Sequence, residues 1–283
     1  MLAIEVKGLV KKYPNKTAVA GIDLEVRTGE IFALLGPNGA GKTTTVEILE
    51  GYRDRDSGTV QVLDEDPGNL GKRAPEWRNK IGIVLQSTKD AEDLSVEEVL
   101  FNFANYYENP RDPAKVIVEV GLEEKRKARI NTLSGGQRRR LDVALGIIGN
   151  PQILFLDEPT TGFDPEARRQ FWDLIRKLRD EGSTILLTTH YLDEAEALAD
   201  RVAVIADGRI IEVASPHDLG GRKEAQTEVI WIENGLEKRV ETDSPTELVK
   251  NLSEKFAGEI PGLQIKRPTL EDIYLKMVGE NNA

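Results

Sequence analysis

The eight residues Gly36-Pro37-Asn38-Gly39-Ala40-Gly41-Lys42-Thr43 restrict this chain more than any other stretch. They follow the apolar run Ile31-Phe32-Ala33-Leu34-Leu35 and lead into residues 43–50, which have helical character. In that setting the pattern G-x-x-x-x-G-K-[ST] builds a loop whose backbone amides turn inward around an anion. The glycines let the main chain approach a phosphate closely, and the following helix adds its positive N-terminal end. Lys42 is the candidate ligand of β- and γ-phosphates, the Thr43 hydroxyl of Mg²⁺, and Thr44 of an α-phosphate. Alone, the loop predicts a nucleoside triphosphate and leaves open which class of enzyme uses it.

The rest of the chain supplies the frame such a loop needs. Short apolar runs at 31–35, 81–85, 153–156, 184–189 and 202–206 read as buried strands of a mostly parallel sheet. Helical segments at 43–50, 166–180 and 191–199 alternate with them, which predicts an α/β fold. Residues 4–6 and 22–26 alternate apolar with polar, as antiparallel strands with one wet face do. From about 87 to 150 the chain reads as an α-helical insertion, and beyond about 216 as a small α+β appendage.

Composition removes several chemistries. The chain has no cysteine and two histidines, which excludes disulfides, a thiol nucleophile, zinc fingers and a His-rich metal cage. Its 38 basic and 49 acidic residues give a net charge of −11, which disfavours nucleic acid as a ligand. No apolar run approaches a membrane span, and Met1–Gly8 lacks the layout of a signal peptide, so a cytoplasmic location is expected.

Two further motifs carry chemistry. The run 153–156 ends in Asp157-Glu158-Pro159, carboxylates at the C-terminal end of a buried strand, where such sheets bind ligands. Asp157 is the candidate to hold Mg²⁺ through water, and Glu158 to accept a proton from an attacking water. Leu133-Ser134-Gly135-Gly136-Gln137 opens a long helix, with Ser134 as N-cap and Gln137 completing a capping box. Capping does not explain two glycines in a first helical turn, where each costs on the order of 1 kcal/mol. Bare backbone at a helix N-terminus suits a second anion. Arg138-Arg139-Arg140 follow, and three consecutive charges spread around a helix axis are expected to be solvated.

Leu-Ser-Gly-Gly-Gln is the signature of the ATP-binding cassette (ABC) family, which residues 1–215 resemble with its motifs in order. The resemblance implies a P-loop NTPase core with a mostly parallel sheet, an antiparallel β subdomain and a helical subdomain inserted at about 87–150. Residues 216–283 form an accessory domain. Tyr13 corresponds to the aromatic residue that stacks on adenine, and Gln86 to the glutamine that touches Mg²⁺ and water and couples to the partner. His190 matches the histidine that contacts the γ-phosphate. Thr161-Gly162-Phe163-Asp164 takes the place of the family's Ser-Gly/Ala-Leu-Asp at the subunit interface, retaining Asp164. The implied activity is Mg²⁺-dependent ATP hydrolysis.

In the family, the signature of one subunit closes over ATP held by the phosphate loop of the other. The implied partners are therefore a second copy or homologous ATPase subunit, and separate integral membrane permease subunits docking near Gln86, with no nucleic acid. The chain would then work peripherally, on the cytoplasmic face of the cell membrane. Residues 189–196 and 270–274 resemble the cassettes of ABC-2-type exporters. The competing expectation is a non-transport ABC ATPase acting on DNA or ribosomes.

Overall fold

The computed structural model describes residues 1–84 and 93–280. The chain divides into two compact units, Met1–Val213 and the remainder from Ala214 onward.

The first unit opens with two long antiparallel strands, β1 (Leu2–Tyr13) and β2 (Lys16–Arg27). Both exceed the short strands expected from alternation, because bulges between Val6 and Leu9 and again before Val10 and Lys12 reset the inward face. A bulge inserts a residue without ending the pairing, so strict period-two reading stops too early. After β3 (Ile31–Leu35) and α1 (Lys42–Leu49), β4 (Ser57–Val62) joins the far edge of β1 to complete a three-stranded sheet. The short α2 (Ala74–Arg78) then buries Trp77, whose indole N–H donates to the Val62 carbonyl at 3.0 Å.

The strand β5 (Ile81–Val84) enters the main sheet. The insertion predicted from the sequence follows as α3 (Val96–Ala104), α4 (Pro113–Glu119) and α5 (Gly135–Ile147). Ser95 caps α3 in a capping box with Glu98, and Asp112 caps α4 ahead of Pro113. The chain returns to the sheet through β6 (Ile153–Asp157), α6 (Pro165–Asp180), β7 (Thr184–Thr189), α7 (Leu192–Leu198), β8 (Arg201–Ala206) and β9 (Arg209–Ala214). Asp207 and Gly208, both at positive φ, make the two-residue turn between β8 and β9.

The resulting six-stranded sheet has the order β5-β6-β7-β3-β8-β9, with β5, β6, β7, β3 and β8 parallel. Every residue of β3, β6 and β7 is buried, which explains the apolar runs Ile31–Leu35, Ile153–Leu156 and Ile185–Leu187 within them. The order has a chemical consequence. Adjacent parallel strands β6, β7 and β3 stop side by side, with Leu35 opposite Thr189 and Asp157 opposite Thr188. The phosphate loop, the acidic pair and His190 are therefore delivered to the same edge.

The second unit contains β10 (Thr227–Glu233), β11 (Leu236–Thr242), α8 (Pro245–Lys255), β12 (Gln264–Lys266) and α9 (Leu270–Glu280). Its antiparallel sheet, ordered β11-β10-β12, buries Val229 and Trp231 against Leu252 of α8.

One close approach fixes the insertion against the sheet. A Cβ on Gly82 of β5 would lie 2.2 Å from the Gly146 carbonyl of α5, and one on Gly146 would lie 2.5 Å from Val84. Gly82→Ala is expected to cost about 1–3 kcal/mol through overpacking, read as a lowered urea midpoint. An unchanged midpoint would show that α5 can move away without loss.

Candidate active site

The phosphate loop begins where β3 ends, and three of its glycines are dictated by geometry. A Cβ on Gly36 would meet the Ile205 carbonyl at 2.2 Å. Gly41 adopts φ +108° with a prospective Cβ 2.3 Å from the Ala18 carbonyl, and Gly39 adopts φ +80°. Pro37, Asn38 and Gly39 are exposed, whereas Ala40 is buried and accepts the Gly208 N–H at 3.0 Å. Beside them the Lys16 ammonium donates to the Gly39 carbonyl at 2.5 Å. Lys16 pairs across the hairpin with Tyr13, whose half-exposed ring has Arg53 5.7 Å from its centroid.

Lys42 opens α1 and is buried, donating to the carbonyls of Gly36 at 2.8 Å and Pro37 at 3.3 Å. Burial lowers its pKa, and the charges of Glu158 and Asp157 oppose that shift. Thr43 is exposed and Thr44 half-buried on the same helical turn.

Asp157 gathers contacts from three directions. Its Oδ1 accepts from the Thr188 hydroxyl at 2.5 Å, and its Oδ2 from the Thr43 hydroxyl at 3.4 Å. Its backbone carbonyl accepts from the Arg139 guanidinium at 2.7 Å. The next residue, Glu158, takes a left-handed φ of +45°, strain that costs of order 1 kcal/mol or more for a residue with a side chain. Its N–H donates to the Thr188 carbonyl at 3.2 Å and hydroxyl at 3.1 Å, which holds the turn. The turn sets the Glu158 carboxylate 3.1 Å from His190 Nδ1 and 3.9 Å from the Lys42 ammonium. A carboxylate, an imidazole and an ammonium thus meet beside the phosphate loop.

The predicted solvation of Arg138-Arg139-Arg140 is wrong. Arg139 is 7% exposed, and it also donates to the Pro159 carbonyl at 3.0 Å. Arg138 faces Asp142 at 3.8 Å, and Arg140 donates to Gln170 at 2.9 Å. The first turn of α5 packs beside the end of β6, so a side chain there meets backbone carbonyls in place of water. Sequence reasoning also missed Thr188, Lys16 and Glu194. Glu194 is fully buried on α7, facing the hydroxyls of Thr189 and Thr160 and the Trp172 indole at a geometry looser than a hydrogen bond. Burial pushes its carboxyl up, against the influence of those three donors. The sequence signal for such residues was faint: a threonine ending an apolar strand, an acid inside a helix.

The signature stands apart from this cluster. Gln137 N–H donates to Ser134 Oγ at 3.3 Å and Ser134 N–H to Gln137 Oε1 at 3.1 Å, the capping box expected from the spacing. Neither side chain bonds to the phosphate loop. A Cβ on Gly135 or Gly136 would meet nothing within 4 Å, and neither has a positive φ. Among the described residues, no packing or turn demands these glycines. Asp164 caps α6 by accepting the Ala167 N–H at 2.8 Å, and Phe163 is buried on Phe171 with ring centroids 5.9 Å apart. Gln86 lies outside the described residues.

The ABC transporter family model matches residues 19–161, half of the chain. The chain belongs to the ABC transporter family. It is an ABC ATPase, and it binds ATP. It is 39% identical to the Nod factor export ATP-binding protein I of Ralstonia nicotianae, an alignment covering 98% of this chain and 94% of that protein. It is 36% identical to the daunorubicin/doxorubicin resistance ATP-binding protein DrrA of Streptomyces peucetius, over 98% of this chain and 92% of the relative. The solved structure of cbiO1 from Clostridium perfringens, part of the ABC transporter complex cbiONQ, superposes with a TM-score of 0.70 at 29% identity, covering 79% of this chain and 92% of that one. The mixed α/β architecture expected from the sequence is that of these cassettes.

Beside the site, α1, β5, α3 and α5 enclose a cavity of about 640 Å³. Its walls are mainly apolar, including Ile83, Val99, Phe103 and Leu141, yet Glu50 at the end of α1 opens into it. Burial, then the charges of Asp157 and Glu47, push the Glu50 carboxyl up from 4.5 to about 8. The native state therefore holds this proton more tightly than the unfolded chain, so stability falls as pH rises from about 4.5 to about 8. Glu50→Gln should match the parent in urea at pH 5 and exceed it by roughly 2–4 kcal/mol at pH 8.5. Parallel pH profiles for the two proteins would contradict this.

Arg139→Met strands two buried carbonyls and is expected to cost about 2–4 kcal/mol, read by chemical denaturation, with a slowed ATPase. A variant as stable and as active as the parent would remove Arg139 from the support of the site.

Proposed function

We propose that the chain is the ATP-hydrolysing subunit of an ABC exporter, working as a two-fold pair that sandwiches two nucleotides head to tail. The observation that carries the reading is the glycine pair at 135 and 136. These residues leave the N-terminus of α5 bare and open, although nothing among the described residues of their own chain needs them. A phosphate held by the loop of a second copy gives that bare backbone a ligand, and two-fold symmetry satisfies both sites at once.

In this reading the amides of residues 36–41 and the Lys42 ammonium bind the β- and γ-phosphates, and Tyr13 stacks on adenine. The Thr43 hydroxyl and Asp157 Oδ2, 3.4 Å apart, suit a hard cation that prefers oxygen ligands, and Gln86 would join them. Mg²⁺ there would neutralise charge on the phosphates. Among the described residues there is no cluster of three acidic or histidine side chains, so the remaining oxygens would come from phosphate and water. Glu158 accepts the proton of the attacking water, and His190, 3.1 Å away, holds Glu158 and contacts the γ-phosphate. Ser134, the amides of Gly135 and Gly136, Gln137 and Asp164 of the second copy complete the enclosure.

No helix among the described residues is long and apolar enough to cross a membrane. In this reading the substrate moves through separate membrane subunits. The apolar cavity beside β5, α3 and α5 fits helices of such subunits on the cytoplasmic face of the cell membrane. The names of the two relatives, for Nod factor export and for drug resistance, support export over import.

Glu158→Gln should lower steady-state ATPase by about a hundredfold or more and trap an ATP-bound dimer on gel filtration. Near-normal turnover would remove Glu158 from the role of base. The head-to-tail arrangement is tested by mixing two inactive variants, Lys42→Ala and Gly136→Asp. Their hetero-pair retains one site with both halves intact, so the mixture should regain ATPase activity that neither variant has alone. Continued inactivity of a demonstrated hetero-pair would argue for a site complete within one chain.

A further inference from the structure

The cavity beside the nucleotide site holds an acidic side chain that hydrolysis does not use. Glu50 is 8% exposed, and among the described residues its carboxylate has no hydrogen-bond or ion-pair partner. Its neighbours are already engaged. Glu47 pairs with Arg53 at 2.6 Å, and Asp142 faces Arg138 at 3.8 Å. Arg78 also lines the cavity, but the influences acting on Glu50 are burial, Asp157 and Glu47, and all three oppose its charge.

Ionising this unpaired carboxyl among apolar walls costs stability, and replacement by an uncharged group would relieve that cost. What the arrangement fits is a complementary cation entering from outside, flanked by apolar side chains that cover Ile83, Val99, Phe103 and Leu141. We propose that the cavity recognises its membrane subunit through one basic side chain, Lys or Arg, on an otherwise apolar helix, which enters and pairs with Glu50. This rests on the reading above that the cavity receives helices of separate membrane subunits. Glu50 then acts as a specificity determinant: a helix without the cation leaves a buried carboxylate unpaired, and one with an acid there is repelled.

The test uses membranes from the cell that makes this chain, stripped of peripheral ATPases with urea, and the purified full chain rebinding to them. Saturable rebinding is expected for the parent protein and for Glu50→Asp. Glu50→Gln should bind at least tenfold more weakly and Glu50→Lys weaker still, since truncating one member of a buried charge pair is costly. Because Glu50→Gln is expected to fold more stably than the parent, its loss of binding cannot come from misfolding. A carbodiimide cross-link from Glu50 to a lysine of a membrane protein would support the pairing directly. Parent-like binding by Glu50→Gln overturns the inference. If Phe103→Glu then abolishes binding, the cavity docks a helix without using the charge, and only this inference fails. If the parent does not rebind, or if Phe103→Glu and Glu50→Lys both bind like it, the docking reading fails as well.

Discussion

Three distant parts of the chain meet at Asp157. One carboxylate oxygen is held by Thr188 of β7, the other faces Thr43 of α1, and the backbone carbonyl receives Arg139 from α5. At this residue the parallel sheet, the phosphate loop and the helical insertion come together. Glu158, next in the chain, inherits this fixation. Its strained backbone is anchored twice to Thr188, so the carboxylate proposed as base is aimed by the same strand that steadies Asp157.

Much of this was readable from the sequence, for identifiable reasons. The phosphate loop, the acidic strand end and the Ser134–Gln137 box are local patterns, in which spacing alone fixes which backbone groups can meet. The burial of 31–35 and 153–156 followed from uninterrupted apolar runs, and the gathering of Leu35, Asp157 and Thr189 at one edge from parallel pairing. Family resemblance supplied the rest of the motif order. What escaped was set by tertiary approach. Nothing in three consecutive arginines says that the middle one will face the carbonyls of residues 157 and 159. Nothing local says that an acid at the end of α1 will be shut into an apolar cavity. The bulges in β1 hid half of that strand, because they shift the periodicity that the reading relied on.

Several costly features gather in one region, although left-handed backbone also occurs elsewhere in the chain, as at Leu63 and Ala257. Glu158 in left-handed backbone, the buried Lys42, the buried Glu194 and the isolated Glu50 carboxyl all surround the nucleotide site or the cavity beside it. A chain optimised for stability alone would replace several of them. Their gathering there is what functional demand on a fold looks like, whereas β3 shows the opposite regime of continuous apolar burial.

The open glycine pair at the start of α5 reaches beyond chemistry to kinetics. If each copy's glycines serve the other copy's phosphate loop, a chain diluted in solution is a nucleotide binder with half a reaction centre. Its output then grows faster than linearly with its abundance. Two copies anchored side by side on one membrane assembly would escape that limit, because tethering replaces bulk concentration with a far higher local one. Cells would thereby keep unassembled copies from wasting ATP, with no inhibitor required.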